Sequence, residues 1–363
     1  MNLFGEPDSE TTDEPTDRAR RRRRARRAVM ASLTALLLLA CLGVGALYGV
    51  SEHLAKRVER VPGVFTDLPA SGRPPEAATT DASTTFLLIG ADNGTEEHTT
   101  GSAASTPASA GSQRSDVIMI ARLSADRRSA AVVSVPRDSW VDIPGHGKGK
   151  LNSAFAFGGP SLLVRTIEQL TGVRVDHFAN VDFAGLRGIV DALGGVDVAI
   201  ANDTATDTPQ GPVRFTKGIN HLDGHSALAY VRQRHGLPRG DLDRVERQQN
   251  LVRALVKKAS SNDTYTNPRR AYDLLHAVTR MVSVDATLTN DELRTLAFAL
   301  MSLDPNALTS LTVPVAGIGE EEGLSVVRLD TTRGAEFWKA FESGSVDRYL
   351  RAHPAETQPT TPQ

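Results

Sequence analysis

TTFLLIGAD (residues 84–92), VIMIARL (117–123) and AAVVSV (130–135) are three short apolar runs in close succession. Each has the length and composition of a buried strand, and charged or small residues bound each one. Beyond them the periodicity changes. Leu162, Leu163, Ile167 and Leu170 recur at helical spacing, as do Phe183, Leu186, Val190 and Leu193. Gly194-Gly195 ends the second helix, and VDVAI (196–200) follows as a strand. A long amphipathic helix is predicted over 243–259, with Val245, Leu251, Val252, Leu255 and Val256 on its apolar side. Further helices fit 268–282, 289–302 and 333–342, and strands fit 309–315 and 324–329. Strands alternating with helices predict a single α/β/α domain over 84–351, with a mixed central sheet covered by helices.

Three other segments lack that pattern. Residues 94–113 carry almost no apolar bulk and read as a disordered insertion in a loop. Residues 51–83, which include LPASGRPPEAATTDAS, read as a stalk, and 352–363 as a disordered tail.

Residues 28–50, AVMASLTALLLLACLGVGALYGV, contain no charge. As a helix they would span about 34 Å, enough to cross a bilayer core. The preceding run RARRRRRARR (18–27) would hold the basic tail, residues 1–27, in the cytoplasm and send residue 51 onward outside. Leu38-Leu39-Ala40-Cys41 loosely resembles a lipoprotein cleavage site, but the apolar stretch continues through Val50. That length argues for an uncleaved single-pass anchor.

Composition narrows the function. The chain has 363 residues, is 40% hydrophobic and 23% charged, and has a formal net charge of -2. These values exclude a wholly disordered chain and a multi-span membrane protein. Outside the basic tail the balance is acidic, which argues against nucleic acid as a partner. The single cysteine, Cys41, excludes an intramolecular disulfide. Arginine outnumbers lysine 34 to 7, a bias that leans towards a GC-rich, actinobacterial genome.

Charged residues gather where the predicted strands end. Asp92 follows the first run, Arg114-Ser115-Asp116 opens the second, and Pro136-Arg137-Asp138 closes the third. Ligands of open α/β sheets collect at strand ends. Asp92 and Asp116 are therefore candidates to hold a hard cation such as magnesium, which takes one or two carboxylates plus phosphate oxygens. The segment YVRQRHGLPRGDLDRVERQQ (230–249) supplies Arg244, Arg247 and Gln248 one turn apart near a helix start. Asp241 or Asp243 could cap that helix. Arginine forks at a helix N-terminus suit phosphate oxygens. No HExxH, Walker loop or Cys/His cluster points to zinc hydrolysis or ATP hydrolysis.

The ordered motifs FLLIGAD, RSD, VVSVPRDSWVDIPGHGKGKLNSAFAFGG, DALGGVDV and ALAYVRQRHGLPRGDLDRVERQQ resemble the LytR-CpsA-Psr family of bacterial cell-wall glycopolymer transferases, over roughly residues 84–345. The resemblance implies magnesium- or manganese-assisted transfer of a glycopolymer from a polyprenyl-pyrophosphate carrier to the muramic acid C6 hydroxyl of peptidoglycan. It implies Asp92 and Asp116 as metal ligands. Arg114, Arg137, Arg232, Arg234, Arg244, Arg247 and Gln248 would form the pyrophosphate site, with Arg137, Asp241 and Arg244 catalytic. Lys150 and Asn152 match a further recurring pair with no assigned role. The 94–113 insertion sets the two metal aspartates farther apart than the family pattern. An apolar tunnel for the lipid is also implied, with the helices around Leu162–Leu170, Leu186–Leu193 and Leu251–Val256 as candidate walls. Two other readings use the same residues: a polyprenyl-pyrophosphate hydrolase with water as acceptor, and a non-catalytic wall-polymer binding protein. Asp241 and Asp138 stand as alternative general bases.

Overall fold

Leu87 and Ile89 are buried on one face of their strand while Phe86 and Leu88 occupy the other, and the layering follows from that alternation. The computed structural model describes residues 52–362 apart from 70, 77–81, 93–113, 234–235 and 358–360. In chain order its elements are β1 (Glu59–Val61), β2 (Thr84–Asp92), β3 (Arg114–Leu123), β4 (Ala130–Ser134), β5 (Trp140–Ile143), β6 (Gly147–Lys150), α1 (Leu151–Thr171), β7 (His177–Asp182), α2 (Phe183–Ala192) and β8 (Val196–Ile200). There follow β9 (Thr204–Thr208), β10 (Gly211–Phe215), β11 (Gly218–Leu222), α3 (Gly224–Arg232), α4 (Asp241–Ala259), α5 (Asn262–Tyr265), α6 (Pro268–Met281), β12 (Val282–Asp285) and α7 (Asn290–Ser302). The chain closes with β13 (Leu308–Thr312), β14 (Val315–Glu321), β15 (Leu324–Leu329), α8 (Thr331–Glu342) and α9 (Val346–Ala352).

Seven strands form one mixed sheet in the order β1-β12-β7-β2-β3-β4-β13. Pairs β1/β12, β7/β2 and β4/β13 are parallel, and the others antiparallel. Leu87, Ile120, Val133 and Leu311 lie in register across four strands, so they share a face. They belong to one continuous core with Leu163 and Ile167 of α1 and Phe337, Trp338 and Phe341 of α8. On the second face the apolar residues fall into separate clusters. Val252 and Val256 of α4 pack near Met119 and Val132, Leu293 and Leu296 of α7 near Val284, and α2, α3 and α6 around β8. The expected α/β/α layering and mixed sheet are thus present.

Helix α1 begins at Leu151, well before the periodic leucines, and a break at Gly158-Gly159 divides it into two segments. Gly159 has a φ of 62°, open to glycine at little cost. The small hairpins β5–β6, β9–β10 and β14–β15 had no expected counterpart as pairs.

The expected stalk needs correction. Within 51–83, β1 joins the sheet edge beside β12, and Val64 and Leu68 enter the main core. Arg73 then clasps Glu168, with Nε to Oε2 at 2.9 Å and Nη2 to Oε1 at 2.7 Å. Glu168 is 2% exposed and also accepts the Val175 amide at 3.0 Å. Removing the guanidinium leaves a buried carboxylate without its counter-charge. Arg73→Ala should therefore cost about 3 kcal/mol, read as a lower urea midpoint at unchanged m-value. The C-terminal tail is corrected in part: Pro354–Glu356 form a 3-10 turn, and Glu356 accepts the Tyr349 hydroxyl at 2.7 Å. The basic tail, the membrane span and the 94–113 insertion lie outside the described residues. Among the described residues no helix is long and apolar enough to cross a membrane.

Candidate functional site

A bulge builds the first part of the site. Gly90 pairs with Val117 and Ala91 with Ser115, so Asp116 is the extra residue on β3. Such bulges re-aim a side chain. Gly90 makes room, since a Cβ there would lie 3.0 Å from the Val117 side chain. The Asp116 carboxylate meets the Arg137 guanidinium just beyond β4. Asp92 and Arg114 pair across the same strand ends by their backbones. Their side chains, like that of Asp241, lie outside the described residues, and so does all of Arg234.

The loop carrying Arg137 is braced from three sides. Asn152 N–H donates to the Arg137 carbonyl at 3.0 Å, Leu151 N–H to Ser139 at 2.9 Å, and Val327 N–H to Asp138 at 2.9 Å. Lys150 Nζ lies 3.0 Å from Asp138 Oδ1, and Arg137 Nε lies 3.6 Å from Asp138 Oδ2. The sequence left Lys150 without a role; here it neutralises the carboxylate beside Arg137.

The second part is the first half of α4. Residues 243–250, Asp-Arg-Val-Glu-Arg-Gln-Gln-Asn, are all buried. Much of this buried polar run is internally bonded. Neither Asp241 nor Asp243 caps the helix: Gly240 is the N-cap and no side chain bonds there. Asp243 instead turns back to Arg239, accepting its backbone N–H and its Nε, each at 2.7 Å. Glu246 takes Arg239 Nη2 at 2.7 Å, and this hydrogen bond raises the Arg239 pKa. Gln249 donates to the Leu311 carbonyl and to Thr312 Oγ1, tying α4 to the end of β13. Thr312 pairs with Ser134 at the end of β4. The polar half of α4 is therefore fixed beside the strand end that carries Arg137.

Arg247 departs from the expectation of a direct phosphate ligand. It is 0% exposed, donates from Nη1 to Gln233 Oε1 at 2.7 Å, and stacks 4.8 Å over the Tyr230 ring. Burial pulls its pKa down, and burial raises that of the Tyr230 hydroxyl, which accepts from Asn250 at 3.0 Å. Gln233 also donates to Thr204 Oγ1 at 2.5 Å. It was missed because it reads as a spacer between two arginines. Arg244 and Gln248 are buried on the same helix. Arg232 ends α3, exposed, 4.9 Å over the Phe183 ring.

Two carboxylate positions on adjacent strand ends, with no histidine or cysteine among them, suit a hard divalent cation that completes its shell with substrate oxygens. Among the described residues no group of three or more His, Cys, Asp or Glu could hold a metal by itself.

The second face of the sheet lies next to this site. Along β7 burial alternates strictly: Phe178, Asn180 and Asp182 are buried while His177, Ala179 and Val181 stay partly accessible. On β2, Phe86 and Leu88 are likewise partly accessible. Phe86 and Ala179 pack against the Val58, Val284 and Leu288 cluster, and Leu88 against Met119, Val132 and Leu308.

A model of the LytR_cpsA_psr family matches residues 60–343. The chain is 33% identical over 292 residues to the cell wall biosynthesis protein LcpA of Corynebacterium glutamicum, covering 71% of this chain and 55% of that one. It is 37% identical over 185 residues to the polyisoprenyl-teichoic acid–peptidoglycan teichoic acid transferase TagU of Enterococcus faecalis, covering 51% and 58%. The chain thus spans little more than half the length of these relatives. A crystallised LytR-Csp2A-Psr enzyme from Actinomyces oris shares the fold, with a TM-score of 0.60 at 21% identity over 79% of this chain and 96% of that one.

Proposed function

Because the chain belongs to the LytR_cpsA_psr family, we propose that it transfers a glycopolymer from a polyprenyl-pyrophosphate carrier to peptidoglycan. The observation that carries this reading is a row of partly accessible apolar side chains on the second face, next to the strand end that carries Arg137. A prenyl chain gains about 0.8 kcal/mol for each buried methylene, and Phe86, Leu88, Ala179 and Val181 offer it a wall. Arg244 of α4 and the Arg137 loop then meet the diphosphate.

In the reaction, the muramic acid C6 hydroxyl attacks the phosphorus bearing the glycan. The new P–O bond forms as the bond to the lipid phosphate breaks, and polyprenyl monophosphate leaves. The hydroxyl proton passes to a carboxylate, Asp241 or Asp138. Arg137, Arg244 and Gln248 orient the phosphoryl oxygens and stabilise charge on them. Arg114, Arg232 and Arg234 add to the field around the diphosphate. Asp92 and Asp116 would hold Mg2+ or Mn2+, which supplies neutralising charge to those oxygens when bound. Residues 1–27 would lie in the cytoplasm, 28–50 in the membrane, and the catalytic domain outside.

The test is to supply purified chain with lipid-diphosphate glycan and peptidoglycan oligomers. The expected products are a phosphodiester-linked glycan and polyprenyl monophosphate. Free phosphoryl-glycan without linkage would show a hydrolase instead. Affinity for the polymer without turnover would show a binding protein.

A further inference from the structure

Phe157 is 56% exposed and stacks on the exposed ring of His146, with centroids 4.8 Å apart and planes at 22°. Isolated exposed apolar residues are ordinary, but this one is built into its surroundings. His146 sits at the tip of the β5–β6 hairpin, where its N–H bonds the Ile143 carbonyl at 2.9 Å. Gly145 and Gly147 flank it with φ of 82° and 73°, a turn that larger residues strain. Phe157 ends the first segment of α1, directly before the Gly158-Gly159 break.

The same two elements grip the catalytic loop. Trp140 pairs with Lys150 at the base of the hairpin, and Lys150 holds Asp138. From that base the strands run about 10 Å to the tip at roughly 3.3 Å per residue. Helix α1 covers about 9 Å from Leu151 to Phe157 at 1.5 Å per residue. Both aromatic rings therefore lie near one another and a short distance from Arg137, in reach of a neighbouring sugar on a strand whose hydroxyl is at the site.

Direction selects the occupant. Phosphoryl transfer sets the attacking and leaving oxygens roughly in line. In the function proposed above, the lipid phosphate leaves towards the apolar second face. The attacking hydroxyl must then arrive from the opposite side, where α1 and the β5–β6 hairpin cover the first face. We infer that His146 and Phe157 form a stacking platform for a pyranose ring of the peptidoglycan acceptor strand. Aromatic faces pack on the apolar C–H faces of sugars while the hydroxyls stay in water. This inference rests on the transferase reading for the identity of the strand.

The experiment uses the full chain in detergent micelles and purified, uncrosslinked peptidoglycan glycan strands. Phe157→Ala and His146→Ala should each weaken strand binding roughly tenfold. The acceptor KM should rise in parallel, the donor KM should stay fixed, and Phe157→Tyr should retain binding. Both rings are exposed, so an unchanged melting temperature reports intact folding. Unaltered strand affinity in Phe157→Ala would overturn the platform, as would a loss confined to the donor KM. Strand binding that depends on Phe157, with no transfer by the native chain, would retain the platform and reject the transferase.

Discussion

Arg137→Ala should yield a folded protein whose glycopolymer transfer is slower by a factor of roughly 10² to 10³. The fold survives because the loop is held by its backbone. The amides of Leu151, Asn152 and Val327 all bond carbonyls between Arg137 and Ser139, and none of these contacts uses the guanidinium. What disappears is the planar fork that meets Asp116 and, in the proposed reaction, would bind the phosphoryl oxygens. Arg137→Lys restores the charge but not two parallel donors, so it should recover only part of the rate. Steady-state kinetics with the donor varied, beside a thermal melt, measure both halves of the statement. A rate within a few-fold of the native chain would remove Arg137 from the machinery.

The second large effect is on stability. Arg247→Ala should cost about 2–5 kcal/mol, which for a domain of this size lowers the melting temperature by on the order of 10 °C. The side chain fills the space between Gln233 and Tyr230 and is wholly buried. Its removal leaves a cavity and strands Gln233 Oε1 without its donor. Arg247→Met keeps the volume and should recover part of the loss. The pairing with Gln233 can be isolated by a double-mutant cycle, where a coupling of about 0.5–3 kcal/mol is expected for contacting residues. Calorimetry of the four proteins supplies the cycle.

The contrast between these two arginines marks what the sequence could reveal. Both were expected at a pyrophosphate site from their motifs. Helical spacing shows that Arg244, Arg247 and Gln248 share a face, but not which way that face turns. Packing of α4 against β8 and β13 decides it, and those contacts join residues far apart in the chain. The three apolar runs were legible as strands because buried strands are locally apolar. The bulge at Asp116 was not, since a bulge exists only relative to a partner's register. Lys150 and Asp138 meet through a hairpin whose strands are four residues each, too short for a periodic signal. The stalk was misread for a related reason. Strand β1 has three residues, and its partner β12 lies at the other end of the domain, so only tertiary structure reveals it.

That strand also governs how the domain can be handled as a separate piece. A chain beginning at residue 84, where the apolar runs start, would lack β1 and the Arg73 clasp. The edge of β12, from Ser283 to Asp285, would then present unpaired amides and carbonyls to other molecules. Such an open edge is a template for strand-to-strand aggregation. The segment from β1 to Arg73 thus acts as a selvedge that keeps the sheet from fraying into its neighbours, and soluble fragments should begin ahead of Leu54.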